Sequence, residues 1–154
     1  MTQYIYMMVG AAGAGKSTFI KDHLPNACVV SRDTARFEVM DKHHTEDYFK
    51  YEKEAFALFI SRIEKAIQDG NKSIVIDATH LTPKARKRVL NRIKSKDNKL
   101  VIDALVIRPT LEQHIKQNAQ RTGRAFVPVD AIVKQYNSYI QPTCEEGFDH
   151  VIIW

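Results

Sequence analysis

Gly10 to Thr18 reads GAAGAGKST and directly follows the apolar run Ile5 to Val9, IYMMV. The stretch fits G-x-x-x-x-G-K-[ST], a phosphate-cradling loop, in the setting where such a loop works, after a strand and before a helix. Glycine allows closely spaced backbone N–H groups to wrap a β-phosphate without a Cβ in the way. Gly10, Gly13, Ala14, Gly15 and Thr18 are expected to form the cradle. Lys16 is expected to reach the β/γ-phosphates and Ser17 to hold Mg²⁺, with the following helix pointing its positive end at the anion. The residues imply a bound nucleoside triphosphate.

Outward from the loop, strand and helix patterns alternate. Ile5 to Val9 has the continuous hydrophobicity of a strand buried on both faces. The expected succession is a helix over Ser17 to Leu24, a strand over Ala27 to Val30, a short helix over Arg32 to Met40 and a long one over Glu46 to Asp69. The last carries an apolar stripe of Phe49, Phe56, Ile60, Ile63 and Ile67, stopped by Gly70. A strand over Ser73 to Ile76 leads to a helix over Pro83 to Lys94, with Thr82 as its N-cap. Leu100 to Ile107 is the next strand, followed by helices over Leu111 to Gln120 and Asp130 to Tyr139, a loop between them, and an edge strand over Val151 to Ile153. This order predicts an α/β fold with a mainly parallel sheet flanked by helices, in one domain over residues 1–154. Ligands of such sheets gather at the carboxyl ends of the strands. Gly10, Ser31 to Asp33, Asp77 to His80 and Arg108 should therefore share one crevice.

The chain has 154 residues and a net charge of +5, unevenly spread. Residues 72–124 hold 13 Lys/Arg against 4 Asp/Glu. Such a run is either a solvated face or a surface for a polyanion such as nucleic acid. No aromatic cluster alternates with basic residues there, which predicts little base stacking. No segment reaches the 18 or more apolar residues of a membrane span, and the start lacks a basic leader. The two cysteines, Cys28 and Cys144, have no paired spacing, so reduced thiols and a cytoplasmic setting are expected.

Phosphoryl transfer requires something to orient the attacking oxygen. Asp33, in Ser-Arg-Asp-Thr-Ala-Arg after the second strand, is the candidate general base; the alternative is an N-cap of the next helix. Arg36, three residues on, could grip a substrate phosphate or pair with Asp33 or Glu38. Asp77 ends IVID and reads as a carboxylate near Mg²⁺ or as a turn cap. Thr79 and His80, beside it, are candidate substrate contacts. Arg121 and Arg124 lie in Arg-Thr-Gly-Arg between two helices, where a lid arginine could meet the nucleotide and the transition-state charge.

These motifs together resemble the phage-type polynucleotide 5′-hydroxyl kinases within the P-loop kinases. The P-loop matches, although Ala12 stands where proline is frequent. Ser31 to Arg36 is similar to the family's segment with an aspartate and an arginine three residues later. Asp77-Ala78-Thr79-His80-Leu81 is similar to its D-x-T-N-L stretch, with His80 replacing asparagine. Asn118-Ala119-Gln120-Arg121 with Val127-Pro128 resembles its lid. The resemblance implies a P-loop kinase fold with a small lid, Lys16, Asp33 and Arg121 as catalytic residues, ATP and Mg²⁺ as cofactors, and a 5′-hydroxyl nucleic acid acceptor. A chain ending at Trp154 is expected to lack the 3′-phosphatase domain of some members. Two alternatives share most of these features: a kinase for a small hydroxyl substrate, such as a nucleoside, sugar, antibiotic or nucleotide-sugar, and an ATP-binding protein that transfers nothing.

Overall fold

A computed structural model describes residues 1–93 and 99–154. Five strands, β1 (Thr2–Val9), β2 (Cys28–Ser31), β3 (Ser73–Asp77), β4 (Lys99–Val106) and β5 (His150–Ile153), form one sheet in the order β2-β3-β1-β4-β5. Every pairing is parallel. β1 and its neighbour β3 carry continuous apolar runs, and Met7 and Met8 of β1 and Ile74, Val75 and Ile76 of β3 are fully buried, as central positions demand. β5 is the expected edge strand.

The helices are α1 (Lys16–His23), α2 (Arg32–Lys42), α3 (Glu52–Gln68), α4 (Pro83–Ile93), α5 (Leu111–Asn118) and α6 (Val129–Ser138). Phe59, Ile60, Ile63 and Ile67 of α3 and Val89, Leu90 and Ile93 of α4 pack on one face of the sheet. Ile20 of α1 packs with Met8, Val75 and Leu105 on the other. Local signals set several boundaries. Ser31 caps α2 by accepting from the Thr34 amide at 3.3 Å, and Thr82 accepts from the Ala85 amide at 3.2 Å at the start of α4. Lys94, the expected end of α4, lies outside the described residues.

One expected helix is shorter than its periodicity suggests. Glu46 to Asp69 was expected to be continuous, yet α3 starts only at Glu52. The Asp47 amide donates to Thr45 Oγ1 and the Phe49 amide to Asp47 Oδ1, at 3.1 and 3.2 Å. These side-chain acceptors offer the backbone an alternative to helical bonds. The turn so formed brings Tyr48 and Phe49 to the crevice at the strand ends.

Candidate active site

The phosphate loop runs from the end of β1 into α1. Gly13 and Gly15 take left-handed conformations, with φ of 80° and 94°. At Gly13 glycine is required twice, because a Cβ there would stand 2.2 Å from the His114 carbonyl oxygen. A Cβ on Gly10 would stand 2.6 Å from the Ile107 carbonyl oxygen. These glycines thus seat the loop against β4 and α5 as well as leaving room for phosphate. The Gly10 amide donates to the Thr79 carbonyl at 2.9 Å, tying the loop to the end of β3.

Lys16 Nζ donates to the Gly10 and Ala11 carbonyls, at 2.6 and 3.2 Å. Burial pushes its ammonium down to about 8, opposed by the charges of Asp77 and Asp33, while Arg121 reinforces the fall. A triphosphate would supply the negative charge this site lacks. Burial raises the Asp77 carboxyl, and the charge of Lys16 offsets part of that rise.

Two cavities open beside the loop. The larger, about 830 Å³, is lined by Gly13, Ala14, Gly15 and Thr18 and by Arg108, Gln113, Gln117 and Trp154. Phe19, His23 and Trp154 form an aromatic wall there, with ring centroids 4.6 to 5.0 Å apart. Arg108 lies over the rings of Tyr136 and Tyr139 at 3.8 and 4.3 Å. The smaller cavity, about 350 Å³, is lined by Lys16, Arg32, Arg36, Tyr48, Glu52 and Thr79, among others. Ser17, Ser31, Asp33, Asp77 and Arg121 line both.

Asp33 lies in the first turn of α2 and its side chain is 63% exposed. Ser31, not Asp33, is the N-cap. Tyr48 donates to Asp33 Oδ1 at 3.1 Å, and Arg36 Nη1 stands 3.9 Å from the same oxygen. The other carboxylate oxygen faces no hydrogen-bond donor among the described residues. Burial and the Asp33 charge both raise the Tyr48 phenol, which keeps it a donor.

Arg36 is buried, with Nη2 2.5 Å from Glu52 Oε2 and its guanidinium 4.0 Å above the Tyr48 ring. Glu52 also pairs with Arg32. Glu38, an expected alternative partner of Arg36, pairs with Arg62 instead. The Nε atoms of Arg32 and Arg36 are both buried without a hydrogen-bond partner. Such groups are costly unless an anion or a rearrangement satisfies them.

The lid loop between α5 and α6 is held by Asn118, fully buried at the end of α5. Its side chain donates to the Val127 carbonyl at 2.6 Å and accepts from the Val127 amide at 3.0 Å. That reciprocal pair gives a physical reason for asparagine and valine at this spacing. Arg121 sits inside the loop and lines both cavities.

Two expected contacts stand elsewhere. Arg124 lines neither of these cavities; it lies 2.7 Å from Glu46 and 2.8 Å from Asp41, latching the lid to α2 and the following turn. These carboxylates raise its already high pKa. His80 is buried in the core, its Nδ1 2.7 Å from the Met8 carbonyl oxygen. Its φ of 46° is left-handed, a conformation that asparagine takes readily and histidine tolerates, so backbone geometry explains the residue types met here. Burial pushes its imidazole down to about 4, with the Met8 carbonyl opposing.

For a divalent cation, Ser17 offers a hydroxyl and Asp77 a carboxylate that no hydrogen bond or ion pair occupies among the described residues. Among the described residues no group of three or more His, Cys, Asp or Glu could hold a metal ion. Two hard oxygen ligands beside a phosphate loop suit Mg²⁺, which keeps waters and takes further oxygens from phosphates.

A parallel sheet with a phosphate loop after its central strand and a lid arginine over it has the P-loop kinase fold. The chain belongs to the AAA domain family AAA_33, which matches residues 5–143. No curated protein matches its sequence. Among solved structures it is similar to a chain of the Pnkp1/Rnl/Hen1 RNA repair complex, with a TM-score of 0.71 and 19% identity, covering 88% of this chain and 43% of that one. It is also similar to a fungal RNA kinase (TM-score 0.67, 15% identity, 99% and 38% covered). A gluconokinase from Sinorhizobium meliloti 1021 is a further likeness (TM-score 0.58, 14% identity, 96% and 79% covered). The chain spans less than half the length of either RNA-associated chain. At these identities the likeness carries the fold alone. No described helix is long and apolar enough to cross a membrane.

Proposed function

We propose that this chain is an ATP-dependent kinase that moves the γ-phosphoryl group onto the 5′-hydroxyl end of DNA or RNA, with Mg²⁺. The observation that carries the reading is that Asp33 and Arg121 line the nucleotide-sized cavity and the smaller cavity alike. Donor and acceptor would meet between them.

In the proposed reaction the nucleobase lies against the wall of Phe19, His23 and Trp154, and the phosphates lie in the Gly10–Thr18 loop. Asp33 accepts the proton of the acceptor hydroxyl as its oxygen forms a bond to the γ-phosphorus; the bond to the β-phosphate oxygen breaks and ADP leaves. Lys16 and Arg121 neutralise charge on the transferring group. Ser17 and Asp77 would hold Mg²⁺, which when bound would supply further charge neutralisation to the phosphates. Arg36 and Arg32, with unpaired buried donors, favour an acceptor that brings its own phosphate.

A kinase for a small hydroxyl compound is the second reading, favoured by the modest 350 Å³ of the acceptor-side cavity. Transfer of labelled γ-phosphate to a panel of 5′-hydroxyl oligonucleotides, nucleosides and sugars separates the two. Preferential labelling of oligonucleotides is expected; labelling of a sugar or free nucleoside alone would overturn the proposal.

A further inference from the structure

Residues 72–124 alone contain no interleaving of basic and aromatic side chains, but the fold creates one by bringing other segments beside them. Arg36 lies over the Tyr48 ring at 4.0 Å, inside the acceptor-side cavity. Glu52 joins Arg36 to Arg32. Arg32 in turn stands 5.2 Å from the Phe56 ring, and Arg88 of α4 stands 4.1 Å from that same ring. Phe56 is half-buried and Arg88 exposed, so the line emerges from the cavity onto the basic face of α4.

We propose that this line, from Tyr48 and Arg36 through Arg32 and Phe56 to Arg88, is the track for the nucleotides that follow the phosphorylated end of a single strand. This rests on the polynucleotide reading above and specifies its substrate as a flexible single strand several nucleotides long. Three physical features support it. Guanidinium groups suit phosphates, and rings and guanidinium planes both stack bases without reading their sequence. Glu52 holds Arg32 and Arg36 in place, whereas no carboxylate pairs with Arg88 among the described residues, leaving its charge available to a polyanion. Arg88 and Phe56 lie outside the lining of the acceptor-side cavity, so a sugar or nucleoside filling that cavity alone would leave them unused.

The test is the KM for 5′-hydroxyl acceptors of increasing length: a nucleoside 3′-monophosphate, then strands of two, four and ten nucleotides. KM is expected to fall about tenfold or more as the strand comes to cover the track, since each stacked base or phosphate contact supplies that order of gain. Arg88→Glu should remove most of that gain, and Arg88→Ala should reduce the salt slope of ten-nucleotide binding by roughly 0.7, one phosphate contact. Phe56→Leu, which keeps the core filled, should weaken the longer strands too. Transfer to oligonucleotides with KM independent of length, or unaltered by Arg88→Glu, would overturn the track alone. Absence of transfer to any oligonucleotide would overturn the polynucleotide reading and the track with it.

Discussion

The amide of Ala12, at the tip of the phosphate loop, donates to Gln135 Oε1 of α6 across 2.9 Å. A proline, frequent at this place in the resembled family, has no N–H to give, so alanine here and glutamine at 135 form a matched pair. The bond couples the loop to the helix that follows the lid. Gln135→Leu should leave the amide unsatisfied and cost about 1–3 kcal/mol. Urea unfolding would show the loss, and an ATP titration should show weaker binding. Unchanged values in both would mean that the contact does not shape the loop.

How far the sequence reaches is clear from particular residues. Gly10 to Thr18 and the alternation of apolar runs with helical patterns were enough for the fold, because both are local signals. Lys16, Ser17, Asp33, Asp77 and Arg121 converge because each follows the carboxyl end of a strand or sits in the lid. Glu52, Tyr48 and Gln135 were not legible: each acts through a partner distant in sequence. The apparent continuation of α3 back to Glu46 concealed the turn that delivers Tyr48 and Phe49. Phe49, read as part of an apolar stripe, is 73% exposed at the cavity rim. Arg86 stands among exposed Lys and Arg residues of α4, so its local sequence gives no sign that it is fully buried against Glu146 and the His80 carbonyl.

Burial holds the Lys16 ammonium at about 8, whereas an unfolded lysine titrates near 10.5. Above pH 8 the nucleotide-free protein loses this charge, and triphosphate binding must take up a proton to restore it. ATP affinity should therefore fall as pH rises from 7 to 9, approaching about tenfold per pH unit beyond the midpoint. Titration calorimetry in buffers of different ionisation enthalpy would detect the proton uptake. Lys16→Arg should flatten the profile. Affinity constant from pH 7 to 9 in the native protein would contradict the assignment of Lys16 to the phosphates.

His80 gives a dependence on the acid side. The unfolded ring takes up a proton below about 6.5, but the folded ring only below about 4. Between these values each proton favours the unfolded chain, so stability declines as pH falls through the window. The whole effect is on the order of 3 kcal/mol. Denaturant unfolding at pH 7 and pH 4.5 should show a steeper loss in the native chain than in His80→Asn, which keeps the left-handed backbone and carries no titrating ring. Equal slopes would mean that the ring becomes charged without unfolding.

Trp154 is the chain's single tryptophan, 66% exposed beside His23 and Phe19. If the nucleobase stacks there, ADP should change the intrinsic fluorescence while inorganic tripolyphosphate, which fills only the loop, leaves it nearly constant. Trp154→Ala should raise the ATP KM several-fold, the scale of one lost stacking contact worth about 1 kcal/mol. Equal responses to ADP and tripolyphosphate would place the base elsewhere.

The most direct measurement is single-turnover transfer from ATP to a 5′-hydroxyl oligonucleotide by the native chain and by Asp33→Asn, with ATP affinity measured alongside. A carboxylate that accepts the acceptor's proton should make the substitution cost about 10²–10⁴-fold in rate. ATP should bind with nearly native affinity. Transfer by Asp33→Asn at close to the native rate would contradict the account.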